Sequence, residues 1–324
     1  MEATREELLR LDGLSVDYPV RGGWLSAVSD LSVTLYRGEI YALVGESGCG
    51  KSTVAYAVTR LLPGTERMTG GIYFHGEDLT RLSRARMEKV RGRGIGMVFQ
   101  NPLDSLNPVY TAGRQVSEAI ELDGVSRQDA LPRAVRLFRD VRMPDAEKRA
   151  RSYPHELSGG MRQRVMIAMM LGRDPDLLIA DEPTTALDVS IEAQILSILL
   201  DLKNARGASV LLITHNFGVV AETADRIGVM YAGELIEEGS ARDIFNRPAH
   251  PYTRLLMRAL PRASKAEGRL ETIDGSVPSF LNAPRGCRFS NRCPYSADAC
   301  VASKPPSRTL QPGHTYRCYR EEAI

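Results

Sequence analysis

The sequence predicts an α/β core interrupted by a helical insert and followed by a tail rich in proline and cysteine. Three observations carry this. Near-continuous apolar runs recur at Ile40–Val44, 95–100, Leu177–Ala180 and Val210–Ile213, each ending in a glycine-rich, polar or ionisable cluster. Runs of that kind suit parallel strands buried on both faces. Helical spacing dominates from about Thr111 to Leu171, and four of the five cysteines lie beyond residue 286.

Taken in order, residues 11 to 80 read as short strands with turns, among them Gly71-Ile72-Tyr73-Phe74-His75-Gly76. Within them Ile40–Val44 feeds the turn Gly45-Glu46-Ser47-Gly48-Cys49-Gly50-Lys51-Ser52, and Thr53 to Leu62 is helix-compatible. The strand 95–100 ends on Gln100, and Pro132, Pro144 and Pro154 break the helical stretch that follows. Leu177–Ala180 delivers Asp181 and Glu182 at the carboxyl end of a strand, where open α/β sheets place ligands. Ile191 to Ala205 has helical spacing with Asp188 in the N-cap region. Arg226 to Gly239 reads as a hairpin turning at Ala232-Gly233. There is no internal repeat and no low-complexity linker.

At 324 residues, 43% hydrophobic and 25% charged, the composition is that of a globular chain of one large or two smaller folded units. Apolar stretches such as Val165 to Gly172 fall short of the ~18 residues that span a bilayer, and the charged start Met1-Glu2-Ala3-Thr4-Arg5-Glu6-Glu7 has no signal-peptide character. A soluble, cytoplasmic chain that reaches a membrane only through a partner is expected. The formal charge of +2 is uneven: from Ala241 onward 14 Lys/Arg face 7 Asp/Glu, a net +7, leaving −5 before it. The tail's excess reads as a solvated face and as compensation for a negatively charged metal centre.

The glycine-rich turn matches G-x-x-x-x-G-K-[ST] at every fixed position, between a strand and a helix. Its glycines let successive backbone N–H groups point at phosphate oxygens, and the helix N-terminus favours an anion by about 0.3–1 kcal/mol. Lys51 then reaches the β and γ phosphates, and Ser52 offers its hydroxyl to Mg²⁺. Of the carboxylates Asp181 and Glu182, one can hold Mg²⁺ through water while the other polarises an attacking water. In Leu157-Ser158-Gly159-Gly160-Met161-Arg162-Gln163, Ser158 is a helix N-cap and the two glycines leave first-turn N–H groups open to an anion. A helix gains nothing from such glycines, which cost about 1 kcal/mol each in its interior.

With Ser158-Gly159-Gly160 as the family signature, residues 11 to 260 resemble the ATP-binding subunits of ABC transporters: a P-loop nucleotide-binding domain with a RecA-like core, an antiparallel β subdomain and a helical subdomain. Gln100 matches the Q-loop glutamine, Ala186-Leu187-Asp188 the D-loop, and His215 the switch histidine. The stretches Val98 to Pro108, Gly160 to Ala168, Ala180 to Val189, His250-Pro251-Tyr252 and Val277 to Pro294 resemble the D-type ATPase of dipeptide/oligopeptide permeases. Gly172 before Arg173, and Asn101, depart from that pattern without touching a chemical position. The implied division is a cassette at 11–245, with its helical subdomain at about 101–171, and a cysteine-rich C-terminal extension at 246–324.

The resemblance implies that ATP is bound by Gly45, Glu46, Ser47, Gly48, Cys49, Gly50, Lys51, Ser52 and Thr53, with Tyr18 stacking on adenine and Trp24 as its rival. Ser52, Gln100 and Asp181 serve Mg²⁺, Glu182 is the general base, and His215 and Gln100 position the γ-phosphate, water and metal. Ser158, Gly159 and Gly160, with Asp188, complete the ATP site of an opposing cassette. The partners implied are an F-type ATP-binding subunit as heterodimer mate, two transmembrane permease subunits and an extracytoplasmic solute-binding protein. The chain then works peripherally at the cytoplasmic face of the membrane. Dipeptides, longer peptides, nickel chelates and haem all stay open as solutes. A non-transport ATPase acting on nucleic acid is disfavoured, because the 56 residues between Gln100 and Leu157 leave no room for a long coiled coil.

The remaining cysteines are spaced C-x5-C-x6-C-x17-C at Cys287, Cys293, Cys300 and Cys318, neither a common zinc-ribbon spacing nor a ferredoxin run. In a chain of this type such clustering favours metal ligation over disulfides. Four thiolates suit Zn²⁺ or a [4Fe–4S] cluster, with Arg285, Arg288 and Arg292 offsetting their charge; the permease resemblance points to the cluster. Cys49 is a separate thiol open to oxidation.

Overall fold

A computed structural model describes residues 5–101, 105–184, 188–259, 275–278, 281 and 283–320. Two units emerge, one built from Met1–Tyr36, Ile40–Arg81 and Thr214–Ile324, the other from Arg37–Glu39 and Leu82–Ile213.

The first unit opens with β1 (Glu7–Val20) and β2 (Gly23–Tyr36), paired antiparallel. These are two 14-residue strands rather than the short ones the sequence suggests. Register shifts at Leu11/Leu14 and beyond explain the difference: bulges break the period-two pattern without ending the strand. β3 (Ile40–Val44), buried along its whole length, leads into α1 (Lys51–Thr59). β4 (Arg67–Phe74) and the two-residue β5 (Glu77–Asp78) complete a four-stranded antiparallel sheet in the order β2-β1-β4-β5.

The second unit runs through α2 (Arg84–Arg93), β6 (Ile95–Val98), α3 (Ala112–Glu121), α4 (Arg127–Asp140), α5 (Ala146–Arg149) and α6 (Gly159–Leu171). β7 (Leu177–Asp181), α7 (Val189–Arg206) and β8 (Ser209–Thr214) follow. β6, β7 and β8 are parallel neighbours and buried throughout, as continuous apolar runs require. Among the described residues of this unit, Ser, Thr or Asp side chains cap five of the helices: Ser83, Thr111, Ser126, Ser158 and Asp188 each accept a first-turn N–H. Pro132 lies inside α4, at its sixth residue, so the helix runs on without the bond that an N–H there would have made.

The chain returns to the first unit with α8 (Phe217–Thr223), β9 (Arg226–Tyr231), β10 (Glu234–Ser240), α9 (Ala241–Asn246) and α10 (Pro251–Ala259). The expected hairpin turn is present: Ala232 at φ 45° and Gly233 at φ 88° give the two left-handed residues of a tight hairpin turn. The tail adds α11 (Asp298–Ala302), β11 (Ser307–Gln311) and β12 (His314–Arg317). β12 pairs with β10, so the strands run β11-β12-β10-β9-β3, with β9 and β3 parallel. Phe289 of the tail is buried in one core with Val44, Val229, Tyr231 and Tyr252, and Cys287 and Cys293 pack against it. No helix among the described residues is long and apolar enough to cross a membrane.

Candidate functional site

The glycine-rich turn hangs between β3 and α1 on two glycines, Gly45 and Gly50, whose neighbours leave no room for a side chain. A Cβ on Gly45 would lie 2.3 Å from the Met230 carbonyl oxygen, and one on Gly50, at φ 102°, would lie 2.2 Å from that of Ala27. The Gly233 N–H donates to the Cys49 carbonyl at 2.8 Å, tying the turn to the β9–β10 hairpin tip. Lys51 is only 4% exposed, its ammonium donating to the carbonyls of Gly45 and Glu46 at 2.9 and 3.0 Å. α1 starts at Gly50 with no acidic residue in its first turn, so its positive dipole end faces the turn uncompensated. Cys49 departs from expectation: it is buried, and burial raises its thiol pKa, so it stays protonated and shielded rather than open to oxidation.

Tyr18, near the end of β1, sits with its hydroxyl 3.5 Å from that of Thr53 on α1, which brings an aromatic ring beside the turn. Trp24 has the Arg67 guanidinium over its ring at 3.6 Å from the centroid, so one face is already covered.

In the second unit, Asp181 ends β7 and is 1% exposed. Glu182 follows at φ 45°, a left-handed conformation that costs a non-glycine residue about 1–3 kcal/mol and recurs at functional sites. The turn is held by the Glu182 N–H donating to the Ile213 carbonyl at 2.9 Å. It presents the side chain to Gln100, whose Nε2 donates to Glu182 Oε2 at 3.0 Å. Two residues 82 apart in sequence, each expected to serve hydrolysis, thus meet.

Ser158 caps α6, its Oγ accepting from the Met161 N–H at 3.4 Å, and both Ser158 and Gly159 are exposed. Gly160 is buried, and a Cβ there would lie 2.6 Å from Ile191 Cγ2, so this glycine also has a packing reason: it lets α6 approach α7. Asp188 caps α7 through the Ile191 N–H at 2.9 Å; Ala186 and Leu187, expected in the same loop, lie outside the described residues. His215 is exposed just after β8, ahead of Asn216, whose Oδ1 caps α8 through the Gly218 N–H.

Sequence reasoning missed Arg164. It is buried along α6, and donates to the Val141 carbonyl at the end of α4 and to Gln194 of α7. Burial lowers its pKa, and this one side chain fastens α6 to two other helices. Its only local signal was an arginine at an otherwise apolar helical position.

In the tail, burial pushes the Cys287 thiol up to about 12, and the nearby Cys300 and Cys318 add to it. Burial likewise raises Cys293 and Cys318, again with thiol neighbours contributing. Each of the three sulfurs also receives a backbone N–H, from Phe289, Tyr295 and Arg320 respectively. Such bonds favour thiolate and tune metal–sulfur centres. The four cysteines therefore share one neighbourhood of suitable chemistry. Among the described residues, however, no group of three or more His, Cys, Asp or Glu stands in metal-holding geometry. The expected charge compensation falls elsewhere: Arg288 donates to the Ala232 carbonyl and Ser26, and Arg292 pairs with Glu46. The cation that lowers the Cys293 and Cys318 thiols is Arg320.

Residues 28–185 match the ABC transporter family model, and 236–300 match the oligopeptide/dipeptide transporter C-terminal region. The chain is 49% identical over 302 residues to a Sinorhizobium fredii protein named as a probable peptide ABC transporter ATP-binding protein, covering 92% of this chain and 90% of that one. It is 45% identical to a Brucella melitensis protein named, in similarly provisional terms, for peptide import ATP binding, covering 99% of both. Among solved structures it is similar to a dimeric ATP-binding cassette in a post-hydrolysis state bound to ADP and Pi, at TM-score 0.66 and 28% identity, covering 72% of this chain and 99% of that one. It is also similar to cbiO1 of Clostridium perfringens, at TM-score 0.65 and 27% identity, covering 74% and 91%.

Proposed function

The chain belongs to the ABC transporter ATP-binding family, and from that premise we propose that it is the ATP-hydrolysing subunit of a peptide importer. The Gln100–Glu182 contact at the end of β7 carries the proposal, because it joins a carboxylate in a strained turn to a residue able to orient the attacking water. In this reading the phosphate-loop N–H groups and Lys51 hold the β and γ phosphates of ATP. Glu182 takes the proton of the attacking water, while Gln100 and His215 orient water and γ-phosphate. Tyr18 stacks on adenine. Asp181 and Ser52, with Gln100, are oxygen donors of the kind Mg²⁺ takes, and bound Mg²⁺ would offset phosphate charge.

Ser158, Gly159 and Gly160 sit exposed or at a helix start, in keeping with a role on ATP held by an opposing F-type cassette. Permease subunits would dock on the helical insert, where Val109, Tyr110, Leu122 and Leu131 are exposed. In this reading the chain works at the cytoplasmic face of the membrane, with a solute-binding protein on the other side. The four tail cysteines would hold a [4Fe–4S] cluster, with Zn²⁺ as the alternative, as a structural cross-link.

Glu182→Gln tests the reaction: ATP binding should persist while hydrolysis falls by about 10²–10⁴ once the partner's site is silenced. Wild-type turnover would refute the base assignment. Iron analysis of anaerobically purified protein tests the cluster. About four irons per chain with broad absorbance near ~400 nm support it. Zinc alone would replace the cluster, and no metal would remove the cross-link.

A further inference from the structure

Glu46, inside the phosphate loop, is held by the tail. Its carboxylate accepts two N–H bonds from Arg292, at 2.7 and 3.1 Å, in a bidentate pair whose arginine is only 6% exposed. Its backbone N–H donates to the Tyr252 hydroxyl at 3.0 Å. Tyr252, Tyr231 and Phe289 form a buried three-ring cluster with centroids 4.7 to 5.3 Å apart. One short turn, 287–293, supplies both Phe289 and Arg292, and Cys287 and Cys293 bound it. The same turn sends Arg288 to the Ala232 carbonyl, next to the Gly233 N–H that holds the Cys49 carbonyl.

We propose that Arg292 is a positioning residue for nucleotide: it neutralises and anchors Glu46, so the cysteine-bounded turn sets the affinity of the phosphate loop. The inference rests on the ATP-binding reading above. A bare carboxylate in a loop that must receive phosphates repels them, and Arg292 removes that repulsion. A lysine cannot reproduce the two-pronged contact. By reciprocity, nucleotide on the loop stabilises the turn.

The test is equilibrium binding of a fluorescent ATP analogue to the full chain. Arg292→Gln should weaken binding about tenfold, a change of about 1.4 kcal/mol. Arg292→Lys should fall between it and the wild type, and Glu46→Gln in the Arg292→Gln background should restore most of the loss. A purely structural arginine predicts no such rescue. Lys51→Ala separates the two readings. If the wild type binds no better than Lys51→Ala, the nucleotide assignment fails. If Lys51→Ala loses binding while Arg292→Gln binds as the wild type does, or the double variant is no better than the single, this inference fails.

Discussion

Replacing Glu237 by alanine should be among the most destabilising single changes in the first unit. The carboxylate lies on β10, fully buried, and accepts three hydrogen bonds: from the Ala249 N–H at 2.7 Å, the His250 N–H at 2.9 Å and His314 Nε2 at 2.7 Å. Alanine removes the acceptor from all three and leaves two backbone donors and a ring nitrogen without it in a dry site. Each unsatisfied buried group costs about 1–3 kcal/mol. Allowing for relaxation and water entry, the sum is about 3–5 kcal/mol against a total stability of about 5–15 kcal/mol. Glutamine keeps one carbonyl oxygen and turns an NH₂ on the remaining donor, so it should cost about 1–3 kcal/mol. Urea unfolding reports this directly, because the single tryptophan, Trp24, lies in the same unit. An alanine variant within 1 kcal/mol of wild type, or no less stable than the glutamine one, would refute the assignment of three satisfied donors.

Other consequences are equally measurable. His250 is buried, which lowers its pKa from 6.5 to about 4, with Glu237 opposing the shift, and its Nδ1 accepts from the Tyr252 N–H. The unfolded chain therefore binds this proton first: the contribution to stability is complete above pH 6.5 and declines by up to about 1.4 kcal/mol per unit as pH falls toward 4. His250→Gln should flatten that part of a stability–pH profile. Gly160→Ala should cost about 1–3 kcal/mol by pushing against Ile191, and Ile191→Ala should relieve much of it in a double-mutant thermal melt. Ser158→Arg should depress ATP hydrolysis by the assembled transporter while equilibrium ATP binding to this chain alone is retained; normal turnover would count against a signature helix that serves the opposing site.

What was legible beforehand was local. The phosphate turn, the Ser158 and Asp188 caps and the Ala232-Gly233 turn are each specified within a few residues, because caps and turns are chosen by one or two side chains. β3, β7 and β8 announced themselves through unbroken apolar runs. The Gln100–Glu182 meeting followed only from resemblance, since no periodicity relates residues 82 apart. Arg292 and Glu46, separated by 246 positions, carry no mutual signal, and proximity in sequence points Arg292 at the cysteines instead. Bulges hide the length of β1 and β2, and a proline at the sixth residue of α4 reads as a break because propensity alone does not show that packing carries the helix past it.

The pairing of β12 with β10 bears on how the chain can be cut. Trimming it after Asn246 to isolate a minimal cassette would strip Thr315 and Tyr316 from Glu238 and Glu237 and leave the outer rim of β10 with open N–H and C=O groups. Such a rim is a template for sticking to other chains. The trimmed protein would also bury a glutamate whose histidine had gone with the discarded segment. A truncated cassette that precipitates would thus be reporting a missing strand rather than a failed nucleotide site.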